Sequence, residues 1–132
     1  MATPGTSQPS RLPIDPAIRP GLAGETRLTV AAEHLAPHTP KFSTPAMVML
    51  MEQASYQAVL RLLHPNQTVV GYEVNVKHLA PADAGALVTA RSILTDVSGN
   101  KLRFEVEAYR GDLLLGTAEH RMAIVTRERA GG

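Results

Sequence analysis

The alternation of apolar and polar positions changes period along the chain, and each change marks an element. Residues 25–31 (ETRLTVA) alternate roughly and carry β-branched side chains, the pattern of a strand. Residues 34–40 hold two prolines and two histidines and read as a loop. From 45 to 63 no glycine or second proline interrupts a run dominated by Ala, Met and Leu, which predicts a long helix. Thr44 is expected to cap it and Pro45 to open its first turn, while His64-Pro65 closes it. Residues 46–51 are apolar on every side of that helix, so other structure must enclose it. Beyond Asn66 the period becomes two. Val70, Tyr72, Val74, Val76 and His78 are expected on one face, with Gly71, Glu73, Asn75 and Lys77 on the other. Residues 81–85 form a loop. Residues 87–97, 102–109 and 113–126 give three more strands. Ser98-Gly99-Asn100 and Arg110-Gly111-Asp112 join them, with lengths and residue types that suit hairpin turns.

One strand, one enclosed helix and four long antiparallel strands make an α+β arrangement in which a curved sheet wraps a single central helix. This is the hotdog fold. The sheet has an edge to cover, and a cleft beside the helix needs a second wall, so a homodimer is expected. Residues 23–128 form that domain. Ahead of it, residues 1–22 hold five of the ten prolines among Gly, Ser, Thr and Ala, the composition of a flexible arm. With 13 basic against 12 acidic residues, the chain offers no electrostatic case for nucleic acid or an anionic membrane surface. The absence of cysteine excludes thiolate chemistry and cysteine zinc sites. The five histidines show no paired ligand spacing, so neither a metal nor another cofactor is expected. No basic-then-apolar leader is visible, and the longest apolar run, 45–51, is too short to span a bilayer. A cytoplasmic protein is the expectation.

Three residues could carry chemistry in such a fold. Glu52 follows the apolar run, which places a carboxylate in poorly solvated surroundings where it can orient a water or a histidine. The competing role is a solvated glutamate at the sheet margin. By parity His78 continues the face of Val70 to Val76 and points toward the helix, beside the loop at Pro81 where a core can open into a cleft. Thr44 is sufficiently explained as a helix cap, yet a hydroxyl at a helix start also lies beside amide donors that favour a developing oxyanion. Thr44 and Glu52 are eight residues apart, about 12 Å along one helix. If they share a site, it lies between two subunits. His34, His38 and His64 fall in loops or at the helix end, and His120 falls on a strand face of mixed character.

The run TPAMVMLMEQA from Thr44, followed by Val74-Asn75-Val76-Lys77-His78, a Pro/Gly loop, and Gly-Thr-Ala-Glu-His-Arg at 116–121, resembles the fluoroacetyl-CoA thioesterase family of hotdog proteins. The resemblance covers 44–125 and implies a catalytic set on Thr44, Glu52 and His78. It implies His78 as base or proton carrier to the leaving thiolate, and Thr44 in contact with, or attacking, the thioester carbonyl. Glu52 would assist activation or the hydrolytic step. It also places Gly71 beside the substrate and Arg121 near the coenzyme A arm, with coenzyme A or phosphopantetheine entering as part of the substrate. Pro45 departs from the family pattern and has no N–H to give an oxyanion. Ahead of Thr44 only Phe42 is aromatic; it is expected to line the substrate site, but without the family's aromatic lid fluoroacetate selectivity is not expected. Related enzymes take acyl carrier protein substrates, and some couple hydrolysis to amine addition on an enoyl thioester. The Asn-Pro loop motif of hotdog dehydratases is missing, and a non-catalytic acyl-thioester binding module remains the third class.

Overall fold

The helix implied by the apolar run forms over Thr44–Val59 (α1), and a one-turn 3-10 segment at Leu60–Leu62 extends it to the predicted end. The computed structural model describes residues 13–128. Five strands curl around α1: β1 (Ala23–Thr29), β4 (Gln67–His78), β5 (Leu87–Ser98), β6 (Lys101–Arg110) and β7 (Leu113–Thr126). Their order is β1-β5-β6-β7-β4, and each neighbouring pair runs antiparallel. The hotdog expectation holds in this architecture. Between β1 and α1, where a loop was expected, Leu35–Ala36 (β2) and Thr39–Phe42 (β3) pair as a small separate hairpin.

Alternation drives the burial. On β6, Leu102, Phe104, Val106 and Ala108 face α1 while Glu105 and Glu107 face water. From α1, Met47, Leu50, Met51, Ala54, Ala58 and Val59 complete the core. Each large side chain so enclosed contributes about 1.5–3 kcal/mol. Close approach of β1 to α1 requires Gly24, because a Cβ there would meet the Ala54 carbonyl and the Ala58 amide. The carbonyls on that flank are met by Thr26 Oγ1 at Leu50 O (2.9 Å) and Ser92 Oγ at Ala54 O (2.9 Å). Gly99 and Gly111 take positive φ while Asn100 and Asp112 do not, the pattern of a type II′ hairpin turn at both predicted positions.

Three expectations need correction. First, Ser43 rather than Thr44 caps α1: its side chain accepts from the Ala46 amide and its carbonyl from that of Met47. The Ser43 amide is itself bonded to His34 O, which places Thr44 inside the first turn with its hydroxyl released. Second, β4 does not keep one parity. Its register with β7 shifts between Gly71 and Glu73, so Tyr72 is a bulge residue. Gln67, Val69 and Gly71 face α1 before the bulge; Val74, Val76 and His78 face it afterwards. Third, residues 13–22 of the expected arm are held against the domain. Ile18 is in the core, Gly21 and Leu22 exchange hydrogen bonds with Leu94, and Gln67 Nε2 donates to Pro13 O. An isoleucine among the prolines supplies the apolar anchor. Residues 1–12 lie outside the described part. Among the described residues no helix is long and apolar enough to cross a membrane.

Candidate active site

Two openings flank the N-terminal half of α1. The first, of about 660 Å³, is walled by the β2–β3 hairpin, the start of α1 and the segment after β4. Three backbone contacts hold these pieces together: Phe42 N to Ala82 O at 2.8 Å, Ser43 N to His34 O at 2.8 Å and Leu79 N to Leu115 O at 2.7 Å. Lys41 Nζ donates to Asp83 Oδ1 at 2.6 Å between the hairpin and the loop after β4, and that hydrogen bond, aided by the lysine's charge, holds the Asp83 carboxyl below the usual carboxylate range. Within this frame Thr44 Oγ1 lies 2.8 Å from His78 Nδ1. Thr44 is exposed, whereas His78 Nε2 is buried without a hydrogen-bond partner among the described residues. Phe42, buried in the core, sets its ring edge-on to the imidazole, with centroids 6.4 Å apart.

The second opening, of about 220 Å³, lies in the groove between α1 and β4. Val48, Met51, Gly71 and Val74 give it apolar walls, and Glu52 and His120 are its polar groups on the helix and on β7. His120 is 3% exposed, with Nδ1 at 3.0 Å from Ser55 Oγ and Nε2 at 3.6 Å from Glu52 Oε2. Burial pushes its pKa below the ordinary histidine value, against the opposing pull of Glu52. The Phe104 ring packs on its other side at 6.2 Å. Of the charged groups on the flanking strands, Glu119 and Arg121 point to the outer face of the sheet. Glu73 is on the rim and lies 3.9 Å from Arg121. Gly71 leaves room for Glu52: a Cβ there would be 2.5 Å from Glu52 Oε2 and 3.2 Å from His120 Nε2.

The structure therefore brings together Thr44, His78 and Phe42 on one side, and Glu52 and Gly71 on the other, but not all five in one opening of a single chain. Arg121 joins neither. It lies on the outer face, bonded to Glu119 at 2.7 Å. Of the helix amides expected as oxyanion donors, those of Ala46 and Met47 are already bonded to Ser43. His120 is the functional candidate that sequence reasoning passed over. Its signal was present, since Ala118, His120, Met122 and Ile124 alternate as buried positions against Thr117, Glu119 and Arg121.

Residues 25–128 match the family model described as fluoroacetyl-CoA-specific thioesterase. A fluoroacetyl-CoA thioesterase from Streptantibioticus cattleyicolor is 32% identical over 103 residues, covering 73% of this chain and 74% of that protein. Among solved structures, the fold is similar to a thioesterase-superfamily protein of Thermus thermophilus (TM-score 0.81, 26% identity, 86% of this chain and 88% of that one). It is also similar to the fluoroacetyl-CoA thioesterase FlK (TM-score 0.79, 27% identity, 86% and 93%). With the hotdog architecture and this match over nearly the whole described chain, the protein belongs to the fluoroacetyl-CoA-specific thioesterase family and is a thioester hydrolase.

Proposed function

We propose that the protein hydrolyses acyl-CoA thioesters at a site shared by two copies of the chain, with Thr44 and His78 from one and Glu52 from the other. The observation that carries this reading is the 2.8 Å contact between the exposed Thr44 hydroxyl and His78 Nδ1 at the mouth of a cleft. As the Thr44 oxygen adds to the thioester carbonyl, Nδ1 takes its proton; the C–S bond then breaks and the imidazolium returns the proton to the departing thiolate. Glu52 accepts a proton from the water that attacks the Thr44 ester and returns it to the departing Thr44 oxygen, which releases the acid, restores the hydroxyl and leaves Glu52 a carboxylate again. The step needs no metal or redox partner.

The composite site is favoured by two features. Thr44 and Glu52 sit about 12 Å apart along α1 and open into different cavities. In addition, β4 is an edge strand that bears Val70, Tyr72 and Val74 at 37%, 50% and 40% exposure, and Met49 on α1 is 56% exposed. An open edge with several large apolar side chains is the kind of surface a second copy covers. Fluoroacetyl selectivity is not part of the proposal, because Phe42 is enclosed against His78 and no other aromatic residue precedes Thr44. The apolar walls of the smaller cavity suit a short aliphatic acyl group. The cytoplasm is the compartment implied by such a substrate.

Thiol release from acetyl- to decanoyl-CoA, with enoyl and β-amino chains included, tests the proposal. Turnover that is lost in a folded His78→Ala variant is the expected result. Silence on every CoA ester, with turnover of a carrier-protein-bound chain, would move the donor to phosphopantetheine. Silence on both would leave a binding module.

A further inference from the structure

The sequence draws attention to one histidine, but the fold buries a second beside the carboxylate. We infer that His120 is a positioning residue for Glu52: Ser55 holds its Nδ1, and its Nε2–H faces the Glu52 carboxylate at the mouth of the α1–β4 cavity. The role assigned to His120 rests on the hydrolytic role proposed for Glu52.

The geometry separates this cluster from a second nucleophile site. Ser55, His120 and Glu52 are the residue types of a hydrolytic triad, yet Ser55 is 0% exposed and cannot meet a substrate. Its hydroxyl lies 3.0 Å from Nδ1, and His120 is its side-chain partner among the described residues. A hydroxyl that donates to Nδ1 fixes the neutral tautomer with its proton on Nε2. That proton then points at Glu52 Oε2, 3.6 Å away, a distance a small rotation of the half-exposed carboxylate closes. Ser55 and Glu52 are three residues apart on one helix face, so a single turn of α1 sets both the orienting hydroxyl and the oriented carboxylate. From the strand side, the missing Gly71 side chain keeps the space that Glu52 Oε2 and His120 Nε2 share. Glu52 is thereby held with one oxygen on His120, and its other oxygen is left to serve the cavity.

The test uses the full-length chain and the acyl-CoA it turns over best. kcat and KM are measured for wild type, His120→Leu, His120→Gln and Ser55→Ala, with His78→Ala as the inactive reference. His120→Leu fills the same space without a donor and should lower kcat about 10- to 100-fold, with KM moving by less than about two-fold. His120→Gln keeps an N–H at similar reach and should recover part of that loss. Nitrogen-15 NMR of the imidazole should show the Nε2–H tautomer in wild type, and Glu52→Gln should shift the His120 titration to lower pH by removing the carboxylate. Unchanged kcat in a folded His120→Leu, equal losses in Leu and Gln, or a His120 titration indifferent to Glu52→Gln would each overturn the assignment. If wild type hydrolyses no thioester at all, the hydrolytic role fails, and the NMR response still decides whether His120 and Glu52 are coupled.

Discussion

His78 and His120 sit in matching local arrangements and differ in what surrounds them. Each presents Nδ1 to a hydroxyl on α1: Thr44 at 2.8 Å for His78, Ser55 at 3.0 Å for His120. The two hydroxyls are eleven residues apart, about three helical turns, and so lie on one face of the helix. Thr44 is exposed at a cleft; Ser55 is fully enclosed. The far nitrogen of His78 has no partner among the described residues, while that of His120 faces a carboxylate. A hydroxyl–imidazole pair is thus not a site by itself. Access makes the first pair a candidate for chemistry on a carbonyl, and burial makes the second a support for its neighbour.

Removing His78 should have the largest effect. His78→Ala is expected to reduce turnover about 10²- to 10⁴-fold, the usual range for losing a general base, as read by thiol release. Thr44→Val should approach that loss with thermal stability unchanged, because the hydroxyl it removes is exposed and does not cap α1. A Thr44→Val variant that keeps full turnover would reduce Thr44 to a spectator and erase the contrast with Ser55. Gly71→Ala tests the second cluster from the strand side. The added Cβ must displace Glu52 Oε2, the end of a flexible side chain, so turnover should fall about ten-fold while the melting temperature stays within a few degrees.

The smallest effect is on stability and reports His120 alone. Its folded pKa lies below the unfolded value of roughly 6.5, mainly through burial. Below about pH 6.5 the unfolded chain binds the proton more readily than the folded one. The stability linked to His120 is therefore fully present above about pH 6.5 and is lost as pH falls through the folded value. Urea unfolding across pH 5–8 should show a fall on the acid side that is smaller in His120→Gln than in wild type. Equal slopes in the two proteins would remove the buried, neutral histidine from the account.

The helix and the long strands were legible because composition and period two act locally: α1 follows the predicted run, starting one residue early at Thr44, and both hairpin turns carry their glycine where a positive φ is needed. What was not legible depended on contacts across the fold. Ser43 and Thr44 are both competent caps, and the Ser43 amide bond to His34 O decides between them. The bulge at Tyr72 was hidden because Val70 and Tyr72 are apolar on the outer side of an edge strand, so the alternation continues through a change of face. Thr44 and His78 were singled out from sequence and do meet; Glu52 was singled out and meets a histidine that was passed over.

Mixing two inactive variants tests the shared site most directly. Thr44→Val and Glu52→Gln chains, co-refolded so that subunits exchange, should form heterodimers in which one of the two clefts has intact Thr44, His78 and Glu52. Random pairing then restores about a quarter of wild-type turnover. A mixture that exchanges subunits, as seen by native mass spectrometry, yet stays as inactive as either variant would contradict a site built from two chains.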